Sequence, residues 1–304
     1  MDIADKFRAW ANNHNKIYSA ELVYNDFIDL IKKKQFFRAK NHKLIKILDE
    51  VILREDARHF SCTIPKGTIL FRARIIRKED ILSNSKGVRI DENQIVHGYD
   101  EDNSREPPLF HSQAGRVNIS GQTFLYVAET EGTACEEVKP SLQDMISLAR
   151  FRLLKDFTIV DFASDQEFPK QYRIKYNMSP GHFFTAIMLS FTKPPRGEGD
   201  YQATQFIADH IRKMGVDGIC YMSQFTGKKN YAIFNCHPDN IEFLDSEILI
   251  KYDQVSCYLS LNNSNVVLSK DESALKPAET VKKSLTESVK EHLKRNNRNS
   301  YLQT

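Results

Sequence analysis

The chain has 304 residues, 41% apolar and 27% charged, enough to bury a sizeable core and too apolar for disorder throughout. Its net charge of +3 is spread over that length, so nucleic acid is not indicated as a partner. No apolar run approaches a membrane span, and Met1-Asp2-Ile3-Ala4-Asp5 lacks the basic and apolar regions of a secretory signal. The five cysteines are odd in number and without a C-x-x-C pair, a pattern expected of reduced thiols in a cytoplasmic protein without a bound metal.

The first sixty residues read as helical. Leu22, Val23, Phe27, Leu30 and Ile31 recur at three- and four-residue steps, as do Leu44, Ile47, Leu48, Val51 and Ile52, which predicts two or three amphipathic helices in a segment 1–60. Arg54 and His59 have the loose spacing of some helical ribonucleases, although Glu55 departs from that pattern. At Pro65 the period changes. Thr68 to Ile75 reads as a strand, and Asp91 to Pro108 as a long, acidic surface loop.

Next come a glycine-bounded loop (Gly115 to Gly121), an apolar strand (Phe124 to Ala128) and a helix opened by Thr133-Ala134-Cys135-Glu136-Glu137-Val138. Together they collect an arginine, a tyrosine and a carboxylate. A guanidinium in such a loop suits a phosphate, because its donors form a fork and small neighbours let the ligand approach. The same residues also fit a surface arginine, a core tyrosine and a solvated Glu-Glu pair. Strands are predicted over Leu148 to Leu154, Phe157 to Phe162, Asp217 to Ser223 and Asn230 to Phe234. Helices are predicted over Ser179 to Leu189 and Tyr201 to Met214, separated by a Pro-Pro-Arg-Gly loop. A mixed α+β domain over 61–260 follows. From 261 to 304 the chain turns polar, as a disordered tail or one weakly docked helix over Pro277 to Lys294 would.

Several of these motifs, in order, resemble the RES-domain family, which includes bacterial toxins that consume NAD. The family's Gly-Gly-Arg-Trp-Asn-Pro loop is similar to Ala114-Gly115-Arg116-Val117-Asn118-Ile119. Its Leu-Tyr-x-Ala strand is similar to Leu125 to Ala128, and its Ala-x-x-Glu helix to Ala134 to Glu137. Its serine strand matches Tyr221-Met222-Ser223, and its closing Asn-rich strand Asn230 to Asn235. The resemblance runs from about Pro65 to Leu244 and departs at Ala114, Val117 and Ile119. It implies an ADP-ribosyltransferase-like fold of small sheets around an NAD cleft, with NAD as substrate.

On that reading Arg116 holds the diphosphate, with Arg72 as a second candidate and Asn118 beside it in the cofactor-binding loop. Tyr126 stacks on the nicotinamide, and Ser223 donates to ribose or phosphate. The carboxylate is chosen by helix geometry. Glu136 lies about 200° around from the packed Ala134–Val138 side, whereas Glu137 borders it. Glu137 is therefore expected to stabilise the ribosyl cation. The leading expectation is an NAD-degrading enzyme of the glycohydrolase or phosphorylase type, with water or phosphate as acceptor, acting as a toxin or defence effector. The alternatives are an ADP-ribosyltransferase and a non-catalytic nucleotide-binding module. An antitoxin or immunity protein is the partner this implies, and a homo-oligomer is left open.

Overall fold

The computed structural model describes residues 22–53, 60–82, 85–90, 96–108, 112, 114–164, 180–192, 201–251, 257–260 and 266–268. The Arg54 to His59 spacing, the Lys193 to Gly199 loop and the helix expected over Pro277 to Lys294 lie outside them. The N-terminal segment is helical as its period predicts: residues 22–32 form α1, Phe36–Lys40 α2 and Lys43–Leu53 α3. On α3 the buried side chains are Leu44, Ile45, Ile47, Leu48, Val51 and Ile52, a stripe wide enough to seat the helix on a core.

That core belongs to the whole molecule. Phe27, Ile31 and the α3 stripe pack with Ile187 and Phe191 of α7 (Pro180–Thr192) and with Ile207 and Ile211 of α8 (Gln202–Arg212). The same cluster holds Val160, Ile219, Tyr221 and Ala232 of the sheet. His210 Nε2 and Asp49 Oδ1, 2.7 Å apart, link α8 to α3 at its edge. The segment expected to precede the domain is one of its layers. Phe27 is fully buried there, so truncating it to alanine falls in the class costing ~3–5 kcal/mol.

The remaining elements run β1 (Ser61–Ile64), β2 (Ile69–Ile75), α4 (Lys78–Leu82), β3 (Arg89–Ile90), β4 (Val96–His97), α5 (Glu101–Ser104), β5 (Leu125–Ala128) and α6 (Glu131–Glu137). After them come β6 (Met145–Leu153), β7 (Phe157–Asp161), β8 (Gly218–Met222), β9 (Lys229–Ile233), β10 (Ile241–Lys251), β11 (Cys257–Ser260) and β12 (Val266–Leu268). Ten strands form one sheet, ordered β1-β7-β8-β9-β5-β2-β6-β10-β11-β12, and β3-β4 form a separate ribbon. Small sheets were expected; one long sheet is found. It is antiparallel except at β7–β8. Alternate side chains enter opposite cores: Val160, Ile219 and Ala232 face the helical layer, and Ile159, Cys220, Tyr231 and Ile233 enter a second cluster with Phe151 and Phe157.

The sheet has a weak seam. β2 and β6 pair over seven residues and β5 and β9 over four, but β2 and β5 share one registered pair, Phe71 with Ala128. Two five-stranded halves therefore meet at a single rung. Two sequence expectations need correcting. The stretch 91–108 contains strand β4 and helix α5, the latter capped by Asp100, whose carboxylate accepts from the Asn103 backbone N–H at 3.0 Å. Val266–Leu268, placed by composition in a disordered or helical tail, pairs with β11. Among the described residues no helix is long and apolar enough to cross a membrane.

Candidate active site

At the seam lies a cavity of about 220 Å³ lined by Phe71, Arg72 and Ala73 of β2, Tyr126, Val127 and Ala128 of β5, and Ala134 and Glu137 of α6. Val138, Tyr221 of β8 and Asn230 of β9 complete it. Phe71 pairs with Ala128, Ala128 with Asn230 and Asn230 with Tyr221, so one cross-strand row forms its floor. The seam explains the location. Where β5 and β2 part, the Tyr126 carbonyl accepts from Arg72 Nη1 at 3.0 Å.

Helix α6 supplies the acid. Thr130 caps it, its hydroxyl accepting from the Thr133 N–H at 3.2 Å. Thr133 Oγ1 lies 2.9 Å from Thr226 Oγ1, which fastens the helix to the β8–β9 turn. In this register Glu137 enters the cavity, and its Oε1 accepts from Asn230 Nδ2 at 2.6 Å. Glu136 faces elsewhere and meets the Lys251 ammonium at 3.0 Å, with side-chain exposures of 17% and 6%. The helical-wheel argument thus places the two glutamates correctly, but Glu136 is ion-paired where a solvated side chain was one reading.

Arg72 is the cation of the cavity. Burial, aided by neighbouring Arg74, lowers its pKa to about 10, against the pull of Glu106 and Tyr126; it stays charged at neutral pH. Its Nε is buried without a hydrogen-bond partner among the described residues. A desolvated guanidinium with a spare donor favours an anionic or strongly accepting ligand. Arg116, the first choice from sequence, does not line the cavity. Its guanidinium sits over the Tyr221 ring, 5.9 Å from the centroid, at the border of the site.

Tyr126 and Asn118 shape the loop that carries Arg116. The Tyr126 hydroxyl donates to Asn118 Oδ1 at 2.6 Å and accepts from the Val117 N–H at 3.3 Å. Burial pushes its pKa up to about 12 against the opposing backbone N–H groups of Val117 and Asn118, so it is a neutral phenol whose ring lines the cavity. Asn118 Nδ2 donates to the carbonyls of Ile119 and Gln122 at 3.2 and 2.9 Å. Asn118, expected in the cofactor-binding loop, thus ties that loop's backbone together. Gly115 is needed here: a Cβ would lie 2.7 Å from Asn118 Oδ1 and 2.9 Å from the Tyr126 hydroxyl. From α8, Gln205 Nε2 donates to the carbonyls of Gly115 and Asn118, and Thr204 Oγ1 to that of Arg116.

Ser223 is buried outside the cavity lining. Its hydroxyl accepts from the Phe225 and Thr226 N–H groups at 3.2 and 3.4 Å, so it helps build the β8–β9 turn. Sequence reasoning overlooked Tyr221, Asn230 and Phe71. Asn230 carried a signal, since asparagine is disfavoured inside a strand unless its amide has a task. Burial, then Tyr126, holds the Tyr221 phenol well above its usual pKa. Among the described residues no group of three or more His, Cys, Asp or Glu side chains is arranged to hold a metal ion.

A family model, the RES domain, matches residues 94–253, just over half of the chain. The chain belongs to the RES-domain family. The match takes in the Arg116 loop, Tyr126, Glu137, Tyr221 and Asn230, whereas Arg72 and the N-terminal helices precede it. A comparison with curated proteins finds no match. Among solved structures, a chain in the crystal structure of the M. tuberculosis MbcT-MbcA toxin-antitoxin complex is 13% identical, with 64% of this chain and 90% of that one covered and a TM-score of 0.34. That likeness is too distant to transfer a residue or an activity.

Proposed function

We propose that this RES-domain protein cleaves NAD at the bond between nicotinamide and ribose. The observation that carries the reading is the cavity itself: one carboxylate, Glu137, one desolvated guanidinium, Arg72, and three aromatic side chains, Phe71, Tyr126 and Tyr221. At about 220 Å³ it is smaller than the ~300–1,000 Å³ of pockets that enclose a whole drug-sized ligand. It suits the nicotinamide riboside end, with the diphosphate leaving past Arg72 toward Arg116. As the C1′–N bond breaks, its electron pair goes to the nicotinamide nitrogen and positive charge develops on the ribose. Glu137 stabilises that charge. Water then forms the new C1′–O bond and loses a proton, giving ADP-ribose and nicotinamide.

Incubating the purified protein with NAD and quantifying nicotinamide and ADP-ribose tests this. Absence of nicotinamide release from folded protein rejects the reading, and transfer of label to a macromolecule in place of free ADP-ribose reassigns the acceptor. Consumption of NAD is also the basis on which we read the chain as a toxin or defence effector held in check by a partner protein. Induced expression should then deplete cellular NAD.

A further inference from the structure

The net charge of +3 hides an asymmetry. Between Leu30 and Leu48 stand Lys32, Lys33, Lys34, Arg38, Lys40, Lys43 and Lys46 without one Asp or Glu, so the rest of the chain is net acidic. The stretch forms the tip of the N-terminal helical layer: the end of α1, a turn with Lys34 at φ 56°, α2, and the start of α3. All seven cations are exposed and none forms an ion pair with a described residue. Among the described residues the Arg38 guanidinium donates only to Gln35 Oε1, at 2.9 Å. Among them stand two exposed rings, Phe37 at 82% and Phe36 at 51%. Phe36 already stacks on Phe206 of α8, with centroids 6.4 Å apart and planes at 11°.

We propose that this tip binds single-stranded nucleic acid, its lysines and Arg38 along the phosphates and Phe37 beneath a base. Cations tracking a backbone beside an exposed aromatic platform is the pattern of sequence-tolerant single-strand binding. Two other partners fit less well. A membrane surface needs a sustained apolar face, yet Ile31, Ala39, Leu44 and Ile45 are all turned into the core. A protein interface depletes lysine from its centre, and here lysine predominates. The tip lies outside the matched 94–253 and away from the NAD cavity, so this inference does not depend on the proposed reaction.

The test is fluorescence anisotropy of the full chain with a labelled twenty-nucleotide oligo(dT), titrated at several salt concentrations. Wild type should bind with log K falling linearly against log salt, each phosphate contact contributing about −0.7 to the slope. Lys33→Glu/Lys34→Glu/Lys40→Glu should abolish binding or reduce the slope by about two. Phe37→Ala should weaken binding at least about five-fold with the slope unchanged, as loss of one stacked base does. Each variant should keep the wild-type melting temperature and NAD cleavage, because the altered side chains are exposed and outside the cavity lining. Wild-type affinity in the triple variant would overturn the proposal. So would indifference to Phe37→Ala, tighter binding to a duplex of the same length, or binding confined to phosphatidylglycerol vesicles.

Discussion

Glu137 and Glu136 are neighbours of equal charge on one short helix, so substituting each by glutamine isolates what their facing does. Glu137 lines the cavity and is held by Asn230 at 2.6 Å. Glutamine there keeps the shape and removes the charge that, in the proposed reaction, matters only as the ribosyl cation forms. We expect turnover to fall by roughly 10²-fold or more, about 2.7 kcal/mol of transition-state stabilisation, with NAD affinity and melting temperature nearly unchanged. Glu136→Gln acts on stability. Its partner Lys251 is only 6% exposed, and removing one member of a buried pair costs ~3–5 kcal/mol. Because Glu136 is 17% exposed and glutamine still accepts a hydrogen bond, about 1–3 kcal/mol is the reasonable loss. At about 2–4 °C per kcal/mol for a domain of this size, the melting temperature should drop by roughly 2–12 °C. The turnover number of the folded enzyme should stay within about two-fold, since the variant leaves the transition-state contact in place. Thermal melts with steady-state kinetics below the melting point separate the two effects. Full activity in Glu137→Gln, or a folded but inactive Glu136→Gln, would refute the assignment.

Arg116→Ala should raise KM for NAD about ten-fold with kcat little changed, as loss of one charge-assisted bond present in ground and transition states does; equal losses at saturating and limiting NAD would contradict it. Tyr126→Phe removes the hydroxyl shared by Asn118 and Val117 and should cost about 1–3 kcal/mol in denaturant melts, with a raised KM because the Arg116 loop loosens; an unchanged melt would show that the loop is held otherwise. For Asp161, burial opposes ionisation, but hydrogen bonds from Ser164, Lys229 and the Ala163 N–H hold its pKa below the ordinary carboxylate value. The stability it contributes is therefore present above about pH 4, its unfolded value, and is lost as pH falls through the folded one. The melting-temperature gap between wild type and Asp161→Asn should shrink from pH 6 to pH 3, and a constant gap would exclude this linkage.

The fold was legible where periodicity carries it. The α3 stripe and the alternation at Ile159–Val160 and Ile219–Cys220 are local patterns, and the helices and strands stand where those patterns put them. Glu137 was legible for the same reason, since facing on a helix follows from spacing along the chain. Assembly was less so. That α1 and α3 close the core over β7, β8 and β9 depends on contacts between residues well over a hundred positions apart, which no window of sequence reports. The hydrogen bonds of Ser223 and Asn118 to the backbone of their own turn and loop were not legible for a related reason: a polar side chain beside a site reads alike whichever group it faces.

The exchange between the two arginines has a physical origin in the seam. A sheet that narrows to the single rung Phe71–Ala128 leaves backbone groups of β5 without strand partners, and each such group, once buried, needs a donor or acceptor from elsewhere. Arg72 meets that need at the Tyr126 carbonyl. This spends one Nη1 hydrogen and leaves Nε, buried and unpartnered, in the same side chain that lines the cavity. One guanidinium thus closes the gap in the ladder and supplies the cation. Arg116, in a loop pinned through its backbone to α8, has only its side chain at the border. On the proposed reaction, losses at Arg116 should therefore report on binding alone. Losses at Arg72 combine binding with the integrity of the seam, and only a melt taken beside the kinetics separates them.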